Sequence, residues 1–277
     1  MTFEMDFARY LAAKKTVDDR ALNRNVWDVL AHTLPPQPLH ALEVGAGIGT
    51  MIERLVERGV LTRAHYTAID ADARNIDELK RRCAKFTPAI QIDAHAIDVF
   101  DFIAQAPEYD LLIANAFLDL VDLPSALPKL LSLLKPGGLF YFTINYDGAT
   151  IFEPVIDAEL DHAIEQLYHA TMDRRAGGSR TGRRLFQALR GANAEISQAG
   201  SSDWVVFAGA RGYAYDEAYF LHFIIETVRA ALENEPTLAH DRLRDWVTQR
   251  HQQIDEGTLL YIAHQVDVVG KSSSASA

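Results

Sequence analysis

Ala41-Leu42-Glu43-Val44-Gly45-Ala46-Gly47-Ile48-Gly49-Thr50 decides how the rest of this 277-residue chain is read. A short apolar run passes through three glycines into a helix-forming stretch, 51–58. Such a turn leaves bare main chain at a helix N-terminus, where backbone angles closed to other residues are open and no side chain obstructs a nucleotide. The dinucleotide fingerprint is spaced G-x-G-x-x-G. Gly45, Gly47 and Gly49 instead read G-x-G-x-G behind an acid, Glu43, inside the strand. This spacing points away from NAD.

Working outward, the next apolar run, Ala64-His65-Tyr66-Thr67-Ala68-Ile69-Asp70, ends in a carboxylate twenty-one residues after Gly49 (70 minus 49). Adjacent parallel strands end on the same sheet edge, so Asp70 is expected beside the glycine turn, able to accept both hydroxyls of a ribose. Strand and helix patterns then alternate, which implies a parallel sheet with right-handed crossovers. Strands are expected at 41–44, 65–69, 90–96, 111–114 and 139–144, and helices at 50–58, 73–85, 99–105 and 125–134, the last closed by Pro136-Gly137-Gly138. Two helices, 3–14 and 18–33, precede the first strand. Beyond residue 144 the pattern predicts a helix at 154–172, a glycine- and arginine-rich loop at 174–182 and a helix at 183–191. A strand at 204–208, helices at 216–233 and 237–253 and a last strand at 259–269 follow. No internal repeat is present.

The composition bounds the function. Hydrophobic residues make up 48%, enough for one large α/β domain with a buried core. Lys plus Arg number 27 against 38 Asp plus Glu, a net charge of −11, which disfavours nucleic acid as the main partner. No stretch approaches a membrane span. The single cysteine, Cys83, cannot form an internal disulfide, and the N-terminal residues lack a basic flank and apolar core, so a cytoplasmic protein is expected. Cys83 itself reads as a half-buried packing residue on a helix.

The segment 43–49 resembles the first motif of class I S-adenosylmethionine-dependent methyltransferases. Further segments resemble that family in the same order: Asp70 at the second strand end, Ala96-Ile97-Asp98-Val99-Phe100 at the third, Tyr109 to Leu120 around the fourth, and Leu133-Leu134-Lys135-Pro136-Gly137-Gly138 leading into the fifth. The resemblance covers roughly residues 40–145. It implies an α/β, doubly wound, Rossmann-like fold with a seven-stranded mostly parallel sheet, the seventh strand antiparallel between the fifth and sixth. Added helices lie at the N-terminus and in the C-terminal half. The implied organisation is an N-terminal helical cap at 1–36, a catalytic domain at 37–270 with helical insertions around 150–192 and 213–254, and a disordered tail at 271–277.

By the same resemblance the cofactor is S-adenosyl-L-methionine and the acceptor a small molecule. Glu43, Gly45, Ala46, Gly47 and Gly49 would line its methionine and ribose side, Asp70 the ribose hydroxyls, and Ala71, Asp98 and Val99 the adenine. Asn115, Ala116 and Phe117 would pass beneath the sulfonium. Asp98 also has an alternative reading as a helix N-cap. Arg20, with Asn23 and Trp27, either faces the site, Arg20 meeting the cofactor carboxylate, or packs on the sheet. No Pro-Pro follows Asn115, which sets aside the amino-group methyltransferases of DNA and glutamine.

Methyl transfer from a sulfonium needs alignment and no nucleophilic side chain. No serine elbow, Cys-x-x-Cys or His-Glu-x-x-His is present, and no metal site is expected. Candidates to position an acceptor or take its proton are Asn145, Tyr146 and Asp147, which leave the fifth strand, and His169, whose ordinary pKa lies near neutrality. Asp147-Gly148 is also a turn signal, and Tyr168 and Met172 fit a packed helix face. Arg174, Arg175, Arg180, Arg183 and Arg184 read as an anion-attracting loop or a solvated basic face. Trp204 and the aromatics from Tyr213 to Phe223 read as core. Two rivals remain: a non-catalytic S-adenosylmethionine sensor or partner protein, and an NAD-dependent oxidoreductase.

Overall fold

The computed structural model describes residues 3–104 and 106–273. Its centre is an eight-stranded sheet with the order β3-β2-β1-β4-β5-β8-β6, and β7 paired to β8 off that path. The strands are β1 (Leu39–Val44), β2 (Ala64–Asp70), β3 (Ile90–Ala96), β4 (Tyr109–Asn115), β5 (Leu134–Glu153), β6 (Glu195–Ser201), β7 (Trp204–Val206) and β8 (Leu260–Lys271). β1 to β5 pair in parallel, and β8 runs antiparallel between β5 and β6. The doubly wound, Rossmann-like class stands, with seven strands on the path and one short strand added.

Hydrophobic burial explains the arrangement. β1 and β4 are covered on both faces, so Leu42, Val44, Leu111, Leu112, Ile113 and Ala114 are all buried with no polar alternation between them. One face packs Leu42, Leu112 and Phe140 against Leu127, Leu130 and Leu185. The other packs Ala41, Leu111 and Tyr141 into a larger core with Met51, Leu55 and Ile76. Strand order reverses between β1 and β4, and the crevice outside their carboxyl ends is the place where such sheets bind ligands.

The helices are α1 (Phe7–Ala21), α2 (Arg24–Thr33), α3 (Thr50–Glu57), α4 (Ala73–Cys83), α5 (Val99–Ile103), α6 (Leu123–Leu131), α7 (Ala158–Asp173), α8 (Thr181–Gly191), α9 (Glu217–Leu232) and α10 (His240–Asp255). Several boundaries differ from expectation. The break between the first two helices falls at Leu22 and Asn23, not near Lys15. Asp18 does not cap a helix, because its carboxylate is taken by Lys14 at 2.7 Å and by the Trp204 indole N–H at 2.9 Å. Asn23 caps α2 instead, accepting from the N–H groups of Asn25 and Val26. α6 stops at Leu131, and Lys135-Pro136-Gly137-Gly138 lies within β5 rather than closing the helix, since Leu134 already pairs with Tyr109.

β5 does not end at Asp147-Gly148. The strand shifts register at that point, with left-handed backbone at Gly148 and Ala149, and continues as a ribbon against β8 to Glu153. α7 therefore starts at Ala158, where Asp157 accepts from two helix N–H groups, and not at Pro154. β6 escaped the sequence reading because Glu195–Ser201 is an edge strand without buried alternation. β8 extends to Lys271, and Ser272 donates to the carbonyls of Gly138 and Lys135, so the last strand outruns the tail expected from 271. Residues 274–277 of that tail, and Gln105 of the expected helix at 99–105, lie outside the described residues.

α1 crosses the carboxyl edge of the sheet as a wall. It is tied to α9 by Arg9, which forks onto Asp216 at 2.8 Å, and by Arg20 and Thr16, which both donate to Glu217. To the sheet side, buried Arg54 of α3 reaches Asp18 and Asp19. No helix among the described residues is long and apolar enough to cross a membrane.

Candidate cofactor and acceptor cleft

The turn after β1 is held open by its glycines. Gly45 adopts φ 64°, and a β-carbon there would stand 2.5 Å from the Phe117 ring, so β1 and the β4 loop close only around a bare backbone. At Gly47, φ 52°, an added β-carbon would meet only Leu11 of α1, at 3.5 Å. That atom would project into the gap between the turn and α1. The gap belongs to a cleft of about 540 Å3 running along the strand ends.

Asp70 is fixed beside this turn. It accepts from the N–H groups of Gly47 and Asp72, each at 2.9 Å, and from the Asn75 amide at 3.1 Å. A carboxylate has about four lone-pair sites, so capacity for ligand hydroxyls remains. Glu43 is 1% exposed and accepts from the Tyr66 hydroxyl at 2.8 Å. Burial pushes its pKa up to about 8, although the Tyr66 bond and Arg54 oppose the rise. Asp98 caps α5 by accepting from Phe100 N–H at 2.8 Å, and it also lines the cleft. The Thr143 hydroxyl donates to the Asn115 side-chain oxygen at 2.8 Å, which fixes that amide at the end of β4. Ala116 takes a left-handed φ of 51° and turns the chain under the cleft toward Phe117.

Glu43, Gly45, Ala46, Gly47, Asp70, Ala71, Asp98, Val99, Asn115, Ala116 and Phe117 all line this cleft. Gly49 sits behind it, packed on Cys83 and Leu79. Arg20 does not line it, because its guanidinium is spent on Glu217. Asn23 donates to Ser201 O, and Trp27 is buried against Tyr141.

The four residues expected to handle the acceptor do not reach the cleft surface. Asn145 is buried, donating to Val266 O at 2.8 Å, and Asp147 is held by Arg183 through backbone and guanidinium N–H groups at 2.8 Å. Tyr146, His169 and Thr150 form a closed triangle, with Tyr146 Oη 2.7 Å from His169 Nε2 and 2.6 Å from Thr150 Oγ1. Burial lowers the His169 pKa, so the imidazole is neutral at pH 7, and burial raises that of Tyr146. The register shift in β5 turned these side chains inward, a feature the turn signal concealed.

The sequence reading missed Tyr10, Lys14 and Asp18 on α1, and Asp119 after β4, all of which line the cleft. Their four-residue spacing on α1 was the available signal. The lining carries six acidic side chains, Asp18, Glu43, Asp70, Asp72, Asp98 and Asp119, of which Glu43 is largely protonated at pH 7, against one cation among the described residues, Lys14, which Asp18 already pairs. A second cavity, about 600 Å3 between α6 and α8, contains none of the motif residues.

Residues 41–138 match a family model described as a methyltransferase domain, a segment running from β1 to the start of β5. A presumed methyltransferase from Bacillus halodurans has a similar structure, with TM-score 0.54 and 11% identity over 91% of this chain and 100% of that one. The YcgJ protein of Bacillus subtilis superposes with TM-score 0.50 and 13% identity, over 91% of this chain and 99% of that one. At this identity the likeness shows the fold. No curated relative matches the sequence. The chain thus carries a segment that matches a methyltransferase domain, on a sheet of Rossmann-like fold.

Proposed function

We propose that the chain transfers the methyl group of S-adenosyl-L-methionine to a small-molecule acceptor by in-line displacement. The observation that carries this reading is the acidic cleft laid along the glycine turn, with Asp70 fixed at its edge. S-adenosylmethionine carries a sulfonium and an ammonium against one carboxylate, and its net positive charge favours such a lining. The pyrophosphate of NAD is anionic, and the described lining offers it no unpaired cation.

The main chain of 45–49 and Glu43 would hold the methionine and ribose side, and Asp70 the ribose hydroxyls. Asp98 and the Val99 N–H would meet the adenine, with Ala71 at its edge. Asn115, Ala116 and Phe117 would floor the reacting centre. The bound cofactor supplies a methyl group on an excellent leaving group, so the protein's work is to align the acceptor and exclude water. α1 does the excluding, through Phe7, Tyr10 and Leu11. Asn145 and Asp147 are committed to the fold. The Tyr146–His169 pair fits a positioning role behind the cleft wall rather than contact with the reacting atoms. An acceptor of small size fits a cleft walled by α1, and the net charge of −11 argues against a nucleic acid.

Calorimetric titration of ligand-stripped protein with S-adenosylmethionine, S-adenosylhomocysteine and NAD in parallel tests the reading. Micromolar binding of both adenosyl ligands and none of NAD is expected. Binding of NAD alone, or of none, overturns it.

A further inference from the structure

Resting on the methyltransferase reading above, we propose that Asp119, which lines the cleft with Tyr10 and Trp204, is the acceptor-recognition residue and that it selects an acceptor bearing an ammonium group. Asp119 follows β4 by four residues and lines the cleft together with Tyr10, Lys14 and Trp204. Its Oδ1 is buried and has no hydrogen-bond partner among the described residues. Its main chain is pinned from outside by the 174–182 loop, since a β-carbon on Gly177 would collide with the Asp119 carbonyl. An unpartnered buried oxygen on a fixed residue is costly unless a ligand completes it.

The surroundings specify that ligand's charge. Burial raises the Asp119 pKa, opposed only by its own backbone N–H and by Lys14, and Tyr10 and Tyr168 both sense its charge. Lys14 is 2.7 Å from Asp18 and makes no hydrogen bond to Asp119 among the described residues. Arg175 and Arg180, on the neighbouring loop, do not line the cleft. Tyr10 is a firm wall, stacked on Phe223 with ring centroids 4.1 Å apart and on Phe220 at 5.7 Å. A carboxylate in a cleft that also carries Tyr10 and Trp204 recognises an ammonium by charge, and a neighbouring ring adds its quadrupole. An anionic acceptor would find no free cation in this lining.

Three probes of nearly equal shape separate the charges: phenethylamine, 2-phenylethanol and 3-phenylpropionate, each titrated at pH 7.5 into the full chain saturated with S-adenosylhomocysteine. The amine is expected to bind at least tenfold more tightly than the alcohol, and the carboxylate not measurably. Asp119→Asn is expected to weaken the amine at least tenfold while changing the alcohol and S-adenosylhomocysteine less than twofold. An amine that binds no better than the alcohol, an unchanged amine affinity in Asp119→Asn, or binding of none of the three overturns the proposal. If Asp119→Asn does not fold, the ranking on the unaltered chain still decides. Loss of S-adenosylhomocysteine binding by the unaltered chain would be a failure of the underlying reading, separately visible.

Discussion

The two walls of the cleft are built differently. The strand-end wall is made of main chain and residues close in sequence: Gly47 N–H donates to Asp70, and Asp70 also takes the N–H of Asp72 and the amide of Asn75. The α1 wall presents Phe7, Tyr10, Leu11, Lys14 and Asp18 and is held in place by side chains whose partners lie far away, Arg9 with Asp216, Arg20 with Glu217, and Asp18 with Trp204. A backbone-built wall needs particular residues at particular spacings, so it holds one kind of ligand and is readable as a motif. A wall of side-chain pairs can change its surface without changing its fold, which suits the half that must fit an acceptor.

The largest effect should come from breaking the α1 wall at its buried anchor. Arg54 is 0% exposed and serves both Asp18 and Asp19. Arg54→Met should cost about 3 kcal/mol of stability, because it removes charge-assisted hydrogen bonds to Asp18 and Asp19, although these keep Lys14 and Lys15 as partners. Denaturant unfolding would show this, and a cost below about 1 kcal/mol would mean that the wall is held by apolar contacts alone.

Next comes the strand-end wall. Asp70→Ala should weaken S-adenosylmethionine binding at least about tenfold, since a hydrogen bond to a charged group is worth ~1.5–3 kcal/mol. An unchanged affinity in a folded variant would remove Asp70 from the site.

Glu43 joins the two walls electrostatically and gives a pH signature. Its folded pKa, about 8, lies above the ordinary 4.5, so the folded state holds this proton more tightly than the unfolded chain. The stability it contributes is therefore present at low pH and lost as pH rises from about 4.5 through 8. A cationic cofactor favours the ionised form, so affinity should rise between about pH 6.5 and 8.5 by at most about tenfold per unit, with proton release. Calorimetry in buffers of different ionisation enthalpy reads that proton, and Glu43→Gln should abolish it.

The smallest effect should be Arg9→Ala. This pair with Asp216 is half exposed on both sides, so the loss should be about 0–1 kcal/mol, with cofactor affinity nearly unchanged. A large loss of affinity would instead mark Arg9 as a hinge of the α1 wall.

The same contrast explains what was legible in the sequence. β1, its glycines and Asp70 could be read because backbone conformation and strand ends leave short-range marks. So could the centre of the parallel sheet, where β4 is an almost unbroken apolar run. Asp18 was misread as a helix start because its carboxylate serves partners up to 186 residues away, Trp204 the farthest. Asn145, Tyr146 and Asp147 seemed to leave the sheet at the ligand edge. A register shift against β8 carries the strand onward and buries them. Asp119 went unnoticed because nothing local distinguishes it; its place in the cleft lining with Tyr10, and its unpartnered Oδ1, exist only in three dimensions.

A crystal structure of the chain with S-adenosylhomocysteine tests the central claim most directly. The account predicts the adenosine lying along 45–49, ribose hydroxyls within hydrogen-bond distance of Asp70 and adenine between Ala71 and Val99. A ligand bound elsewhere, or one that leaves Asp70 and the glycine turn untouched, would contradict it.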